Sequence, residues 1–436
     1  MADPAGQGPA AILVAAYEEA ERIGATIAGL REQFPGAVIV VADDGSRDAT
    51  ARLAEAAGAG IVLHLPHRGK GQALTLAERA APPGPLLLAD ADLRGDLRPL
   101  AAAGARGADL AVAVFARRQG GGVGLAKGVA RALIARAAAE AGGAGEEAPR
   151  EPLSGQRFLS QRAREALFPV AAGFGVETRM TIDAVRAGLR VEEVELDLEH
   201  RATGRDLAGF MHRGRQLRDL LLAVGPTAVN HRGLRLPLVG ALVAVAGVAA
   251  PRRTALAVAA VAAVGVADDL FSGPERGLRA HLAAGSTTGV LKAVAIPAIG
   301  VAATGSLSGG ALVGLSANAA NLLDTRPGRS LKAVLLAWLL LRATGRARHA
   351  SPYAAAAVML APYDLCEMAM LGDGGSNALG AALGIEAAAR LRGGTRLAAI
   401  AALAGLTVAG ELVSLGKAIE RTPVLRGIDR AGRQAP

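Results

Sequence analysis

The chain has 436 residues, enough for two or three domains, and 51% of them are hydrophobic, with a mean hydropathy of +0.32. This composition is too apolar for an ordinary soluble protein, so we expect part of the chain to lie in a lipid bilayer. The net charge of +9 comes from basic residues that flank apolar runs and are not interleaved with aromatics, which favours membrane anchoring and argues against nucleic-acid binding. A single cysteine, Cys366, excludes an intrachain disulfide.

Up to residue 218, apolar runs of strand length alternate with polar segments typical of helices. The runs include "AAILVAAY", "AVIVVADDGS", "GIVLHL" and "PLLLADADL". This alternation predicts an α/β, Rossmann-like domain over residues 1–218, with a parallel sheet and crossover helices.

The first residues lack the basic region that precedes the apolar stretch of a signal peptide, so we expect no signal peptide.

Acidic side chains follow three of these runs, with Glu19 after the first, Asp43 and Asp44 after the second, and Asp90 and Asp92 after the fourth. Ligands of parallel sheets bind beyond the carboxyl ends of the strands, where these acids would meet. Carboxylates also hold the divalent metal that neutralises the diphosphate of a nucleotide-sugar. Taken alone, Asp-x-Asp is more often a helix cap or a solvated pair, but its position after a strand favours a site.

The segment "HRGKGQAL" places Arg68 and Lys70 on a glycine-broken loop that enters a helix. Backbone N–H groups and cationic side chains at such a loop suit a phosphate group. The alternative is a solvated turn.

Four motifs in order, "AAYEEAERI", "VVADDGSRDAT", "HRGKGQAL" and "DADL", resemble those of the family 2 glycosyltransferases, which are inverting GT-A enzymes. The resemblance covers most of residues 10–218 and implies a nucleotide-sugar donor with Mg²⁺ or Mn²⁺ as cofactor. It implies that Glu19 and Asp43 contact the nucleobase and ribose, and that Asp90 and Asp92 contact the ribose and the metal-bound diphosphate. The family's usual motif is Pro-Ala-Tyr-Asn-Glu. This chain has Glu18 in place of the Asn, and this difference bears on nucleotide selectivity.

The segments "SGQRFLS" and "GFGVETRMTIDAVRAG" resemble the acceptor half of the same fold. An inverting transferase needs a base for the acceptor proton unless the acceptor is a phosphate anion. Glu177 is the candidate base or acceptor-orienting group, with a helix cap as the equally weighted alternative. His200 is the candidate third metal ligand, although a lone histidine is often only a hydrogen-bonded surface residue.

From residue 219 onward the apolar stretches lengthen and lose their polar faces. Eight in succession predict an all-α, polytopic membrane domain over residues 219–436, although several are shorter than the roughly 20 residues needed to cross a bilayer. Any single one also fits a buried helix of a soluble protein. Basic residues near Arg213 and at Arg252 and Arg253 indicate cytoplasmic helix ends. We therefore expect a multi-pass protein of the cell membrane with its N-terminal domain in the cytoplasm.

Polar residues interrupt this apolar half at positions that are costly in a membrane and are therefore functional candidates. They are Asp268, Asp269, Lys292, Asn321, Asp324 and Asp373. With their flanking segments, they resemble the polyprenyl-phosphate N-acetylhexosamine-1-phosphate transferases over roughly residues 225–385.

That resemblance implies that Asp268 and Asp269 are paired acids near a lipid phosphate and, with Asp373, metal ligands. It implies catalytic roles for Lys292 and Asp324. The stretch "NLLDTRPG" departs from the family because Pro327 replaces the second acid. The domain is therefore expected to bind a polyprenyl phosphate without necessarily transferring a sugar phosphate.

Together these features predict a membrane-bound inverting glycosyltransferase that moves a sugar from a nucleotide-sugar to a polyprenyl-phosphate or glycolipid acceptor in cell-envelope glycan synthesis. Two alternatives stay open. In one, the membrane half is an active sugar-1-phosphate transferase and the chain is bifunctional. In the other, the chain is a lipid-binding scaffold with a degenerate transferase. The sequence leaves a homo-oligomer open and identifies neither the sugar nor the nucleotide.

Overall fold

The computed structural model describes residues 8–115, 125–142, 149–197, 222–271, 287–343 and 351–433. The chain divides into two compact units, Met1–Leu236 and Pro237–Pro436. Each unit is described by itself.

The first unit alternates strands and helices, as its sequence predicts. Its strands are β1 (Ala11–Ala16), β2 (Val38–Asp43), β3 (Ile61–His64), β4 (Leu86–Asp90), β5 (Leu110–Phe115), β6 (Arg157–Leu159), β7 (Val191–Leu196), β8 (Thr227–Val229) and β9 (Arg235–Pro237). Its helices are α1 (Ile23–Gln33), α2 (Thr50–Ala56), α3 (Lys70–Ala80), α4 (Arg98–Ala105), α5 (Leu125–Glu140), α6 (Gln161–Leu167) and α7 (Val176–Arg186).

Seven of these strands form one mixed sheet in the order β3-β2-β1-β4-β6-β5-β7. The pairs β1–β2, β1–β4, β2–β3 and β5–β7 are parallel, whereas β6 runs antiparallel to both β4 and β5. The wholly parallel sheet expected from the sequence is therefore wrong at β6. This strand has only three residues, too few for its apolar pattern to reveal its direction.

The central strands are buried on both faces, which is typical of a sheet covered by helices on each side. Along β1, Ile12 and Val14 join the core on one face, while Ala11 and Leu13 join the core on the other. Successive side chains of a strand alternate between faces, so an apolar run without polar interruptions builds both cores at once.

The first unit extends past residue 218, where the sequence analysis placed the boundary. The two-stranded sheet β8–β9 belongs to it, because Arg79 donates to the carbonyl oxygens of Arg232 (2.9 Å) and Gly233 (2.6 Å). Arg235 also forms an ion pair of 2.5 Å with Asp183 on α7. The residues that make these polar contacts are far apart in the sequence, so no local pattern predicts the contacts.

The second unit is helical. Its helices are α8 (Arg252–Phe271), α9 (Thr287–Thr304), α10 (Leu307–Leu323), α11 (Arg329–Ala343), α12 (Pro352–Leu365), α13 (Gly372–Arg390), α14 (Gly393–Leu412), α15 (Leu415–Arg421) and α16 (Pro423–Arg430). The predicted apolar helix after residue 236 is a 3₁₀ helix, Gly240–Ala249. A Cβ on Gly240 would lie 2.0 Å from the carbonyl oxygen of Leu371, so this segment packs backbone against backbone.

Glycines also allow close packing between α10 and α13. A Cβ on Gly380 would lie 2.3 Å from the carbonyl oxygen of Ser316, and one on Gly384 would lie 2.6 Å from Cα of Val313. Small residues at helix contacts let backbones approach in this way.

Among the described helices, α14 is the one whose length and composition would allow it to cross a membrane, through the window Gly393–Gly410. Gly240–Ala249, Lys292–Thr304 and Leu307–Leu323 are apolar but shorter. The helical class of the second half agrees with the sequence analysis, whereas the polytopic membrane domain stays a prediction.

Candidate functional sites

The carboxyl ends of β2, β1 and β4 lie side by side at one edge of the sheet. In the parallel register Ala16 pairs with Asp43, and Ala15 pairs with Asp90. The segments that follow these three strands therefore meet at this edge, as the sequence predicts for ligand-binding side chains.

Lys70 is the centre of a partly buried charged cluster at this edge. Its Nζ lies 2.6 Å from Oδ1 of Asp90 and 2.7 Å from Oε1 of Glu177. Gln156 donates to the other Asp90 oxygen at 2.8 Å. Burial alone would lower the pKa of Lys70, but the two carboxylates raise it above its usual range, so the ammonium stays charged. Three predicted site residues from β4, α3 and α7 thus form one contact set.

Glu177 lies where both of its predicted roles require it, and its role as base or acceptor-orienting group stays a prediction. It lies in the first turn of α7, where a carboxylate interacts favourably with the helix dipole, and it is the ion-pair partner of Lys70. Gly175, the N-cap residue, has no side chain that could cap this helix. The helix-end position therefore places the carboxylate at the sheet edge.

Arg157 is a charged residue of this site that the sequence analysis missed. It is fully buried and donates to the carbonyl oxygens of Ser154 (2.9 Å) and Pro152 (3.1 Å) and to Oγ1 of Thr181 (2.9 Å). Burial lowers its pKa to about 10, and the charges of Glu177 and Asp90 oppose this shift. An arginine within the short run "QRFL" was the available signal.

Asp44 holds the loop that carries Lys70. Its carboxylate oxygens accept the backbone N–H groups of Arg68 (2.8 Å) and Gly69 (2.9 Å), and His67 Nδ1 lies 2.9 Å from it. Burial raises the pKa of Asp44, against the effect of these hydrogen bonds. Asp44 therefore positions the loop before α3.

Asp43 and Glu19 lie in a hydrogen-bonded network at the ends of β2 and β1. Asp43 accepts from the backbone N–H of Ser46 at 3.1 Å and from its hydroxyl. The backbone N–H of Glu19 donates to Oγ1 of Thr50 at 2.8 Å, and its carboxylate lies 3.4 Å from Arg22. The loops after the two strands are thereby joined.

Glu18 adopts a left-handed backbone conformation, with φ of 54°. Asn enters this region more readily than most residues, so the Asn usual in the resembling family suits the backbone here. The Glu18 N–H donates to Oγ of Ser46 at 2.9 Å, which retains the turn despite the substitution.

Asp92 is not part of the Lys70 contact set, and it lines a cavity of about 300 Å³ between α1 and the segment after β4. Thr26 of α1 fixes this segment by donating to the carbonyl oxygens of Ala91 (2.8 Å) and Leu93 (3.3 Å). No hydrogen bond or ion pair of the Asp92 carboxylate occurs within the described ranges. The predicted partner His200 lies outside the described residues.

The second unit also has a lysine between two carboxylates. Lys292 of α9 lies 3.0 Å from Oδ2 of Asp268 on α8 and forms a second ion pair with Asp373 at the start of α13. Asn321 of α10 donates to Asp373 at 3.3 Å. Four predicted site positions from four helices therefore converge.

Asp269 and Asp324 lie at the edge of this cluster. Asp269 accepts the backbone N–H groups of Asp373 (2.9 Å) and Gly374 (3.0 Å) and so caps α13. Asp324 ends α10 and lies within electrostatic range of Asp269 and Asp373.

In the parts of the chain that the structure describes, no three His, Cys, Asp or Glu side chains come close enough together to hold a metal ion. In the second unit Lys292 lies between Asp268 and Asp373, and both oxygens of Asp269 accept backbone hydrogen bonds. A metal role for these acids stays a prediction.

Comparison with known proteins shows what the first unit is similar to. Residues 11–137 match the family described as glycosyl transferase family 2. The glycosyltransferase AglJ of Haloferax volcanii is 31% identical over 204 residues, a match that spans 45% of this chain and 64% of that protein.

Solved structures of glucosyl-3-phosphoglycerate synthase from Mycobacterium tuberculosis also match. The complex with Mg²⁺ and UDP is 25% identical, with a TM-score of 0.41, and the match covers 51% of this chain and 79% of that one. The complex with Mn²⁺, UDP and phosphoglyceric acid is 27% identical, with a TM-score of 0.41, covering 51% and 78%.

The family match and the curated relative support a glycosyltransferase, and the first unit has the α/β, Rossmann-like sheet predicted for its catalytic domain. This confirms the predicted enzyme class. The matched segment includes Glu19, Asp43, Lys70, Asp90 and Asp92, and ends before Glu177.

Proposed function

We propose that this chain transfers a sugar from a nucleotide-sugar to a lipid acceptor of the polyprenyl-phosphate type, with inversion at the sugar carbon, in cell-envelope glycan synthesis. The observation that carries the transferase part is the contact set Lys70–Asp90–Glu177 at the carboxyl edge of β4, within a family 2 glycosyltransferase fold. It joins a donor-side carboxylate to an acceptor-side carboxylate through one partly buried cation.

On the donor side, Asp43 and Glu19 are proposed to bind the nucleoside, and Lys70 and Asp90 the ribose and diphosphate region. Asp92 fits a divalent cation because its carboxylate has no partner within the described ranges. Mg²⁺ is usually held by only one or two carboxylates together with substrate phosphates, so a group of three acids is not required. Mg²⁺ or Mn²⁺ would neutralise charge on the departing diphosphate. His200 remains the proposed third ligand.

On the acceptor side, Glu177 is proposed to orient the acceptor or to take its proton. A phosphate acceptor is already an anion and needs no base, so Glu177 then acts by positioning Lys70. The charged Lys70 ammonium would attract both a diphosphate and an acceptor phosphate.

Exposed apolar side chains favour a membrane location for the second unit. Of the large apolar side chains exposed within the described ranges, all but Tyr17, Leu153 and Val229 belong to this unit, and Val248 and Leu307 are 92% and 83% exposed. Such surfaces are rare on soluble monomers. We place the first unit in the cytoplasm, where nucleotide-sugars are made, and the second in the cell membrane as a multi-pass bundle.

The polar cluster of the second unit is the proposed binding site for the phosphate of the lipid acceptor. Lys292 supplies a cation within the apolar helical bundle, and Asp268, Asp373 and Asn321 surround it. Charged groups inside an apolar bundle are costly and indicate a functional cavity. This cluster also favours the alternative of a second, sugar-1-phosphate transferase activity in the same chain. An inert scaffold would not explain why such a costly charged cluster is present.

The test is donor hydrolysis by the purified full chain with a panel of nucleotide-sugars and Mg²⁺ or Mn²⁺, repeated with and without polyprenyl phosphate. We expect metal-dependent release of the nucleoside diphosphate from one donor and a glycosylated lipid when the acceptor is present. Release of nucleoside monophosphate together with a lipid diphosphate-sugar would instead support the sugar-1-phosphate transferase. Absence of donor turnover under all conditions would refute the transferase.

Topology is tested separately by adding protease to intact cells and to inverted membrane vesicles. We expect the first unit to be cleaved in inverted vesicles only. Cleavage in intact cells would contradict the cytoplasmic placement.

A further inference from the structure

The C-terminal helix α16 presents an apolar face that no described residue covers. Val424, Leu425 and Ile428 of α16 are 72%, 47% and 49% exposed. Positions i, i+1 and i+4 lie on one face of a helix, so these side chains form a continuous apolar strip. Arg426 and Arg430, both exposed, occupy the remaining surface.

A polar anchor, and not the apolar strip, attaches α16 to the unit. Asp429 is the one buried residue of this helix, and its carboxylate accepts from Arg329 Nε at 2.8 Å and Nη2 at 3.0 Å. Arg433 pairs with the same carboxylate, and Lys332 donates to the carbonyl oxygens of Ile428 (3.1 Å) and Asp429 (2.7 Å). The anchor therefore fixes the helix while its apolar strip stays exposed.

The position and charge of α15 and α16 identify what covers the strip. They follow directly after α14, which is long and apolar enough to cross a bilayer, so they begin where that helix would leave the lipid. Lys417, Arg421, Arg426 and Arg430 are exposed, and Glu420 is the one exposed acid of the two helices. An apolar strip beside a basic surface is typical of a helix that lies in an anionic membrane interface.

We propose that α15 and α16 form an interfacial helix pair that docks on an anionic bilayer surface. Val424, Leu425 and Ile428 insert at the level of the lipid headgroups, and Arg426 and Arg430 contact the anionic headgroups. The Asp429–Arg329 pair links this docked helix to the first residue of α11, close to the segment that carries Asn321 and Asp324. The inference rests on the proposed membrane location of the second unit.

The experiment measures the depth of a fluorescent label in the full chain, reconstituted into vesicles of pure phosphatidylcholine or of phosphatidylcholine with phosphatidylglycerol. Cys366→Ser removes the native thiol, and the label is attached to Val424→Cys or, as a control, to Val408→Cys on α14. A shallow lipid-borne spin label and aqueous iodide serve as quenchers.

In anionic vesicles we expect the label at position 424 to be quenched by the spin label and protected from iodide. The double substitution Arg426→Gln/Arg430→Gln should reduce the equilibrium constant for docking on anionic vesicles by about fivefold for each arginine removed. Arg392→Gln, a control at the other end of α14, should leave it unchanged.

Three results would overturn the proposal or a part of it. If iodide quenches the label at 424 while the label at 408 is in lipid, interfacial docking is refuted and the membrane location is not. Both labels open to iodide would refute the membrane location and the docking together. Equal protection at 424 in neutral and anionic vesicles would refute the anionic selectivity.

Discussion

Gly155 is predicted to be essential for donor turnover although it carries no functional group. A Cβ at this position would lie 2.4 Å and 2.5 Å from the two carboxylate oxygens of Asp90 and 2.7 Å from Nζ of Lys70. Ordinary carbon contacts are near ~3.5 Å, so in Gly155→Ala the carboxylate and the ammonium must each move by roughly 1 Å. A misplacement of roughly 1 Å costs about 100-fold in rate, which corresponds to about 2.7 kcal/mol of transition-state stabilisation.

The assay is metal-dependent donor hydrolysis, with circular dichroism and the thermal midpoint as measures of folding. The matched control is Gly24→Ala on α1, where a Cβ would meet nothing within 4 Å. We expect kcat/KM to fall about 100-fold in Gly155→Ala and to stay unchanged in Gly24→Ala, while both variants remain folded. Normal turnover in folded Gly155→Ala would show that the Lys70–Asp90 contact does not contribute to catalysis.

Three further predictions concern the charged residues. Asp92→Asn should abolish Mg²⁺-dependent donor binding in calorimetry, because a neutral amide is a poor ligand for a hard cation, whereas Asp96→Asn, at an exposed acid paired with Arg98, should not. Unchanged binding would remove Asp92 from the metal site. Lys70→Met should lower the unfolding free energy of the first unit by about 2 kcal/mol in urea titrations, because it leaves the buried Glu177 and the partly exposed Asp90 without their cation. No loss of stability would contradict the assigned ion pairs. Lys292→Met should reduce sugar transfer to polyprenyl phosphate without changing donor hydrolysis, and equal transfer would refute the lipid-phosphate site.

The first unit could be predicted largely from sequence because its signals are local. Apolar runs that end in acids identify parallel strands and place the acids at one edge, and the register of Asp43 and Asp90 beside β1 agrees. The sequence also identified Lys70 and Glu177 separately. Their contact through one ammonium depends on how α3 and α7 pack on the sheet, which no local pattern encodes.

Arg157 shows a second reason for a missed residue. Its burial arises because the short antiparallel strand β6 lies between β4 and β5, and three residues are too few for a periodic pattern. In the second unit the Arg329–Asp429 pair was missed for the first reason, because the contact depends on how distant helices pack. Its two members are separated by a hundred positions and join elements that are ordinary helices by sequence.

The two polar clusters share an arrangement that explains how both could receive a phosphate. In each, one lysine bridges two carboxylates from different elements, Lys70 in the first unit and Lys292 in the second. Without a ligand, the lysine supplies the cation that buried carboxylates require. A phosphate that arrives with a divalent cation offers both groups a new partner, because the ammonium can turn to the phosphate while a carboxylate binds the metal. The carboxylate that binds the metal then has a cation in place of the ammonium. The ion pairs are therefore compatible with phosphate sites whose charged side chains change partners when the ligand binds. Lys70→Met and Lys292→Met would accordingly disturb the unliganded protein as well as its affinity for phosphate.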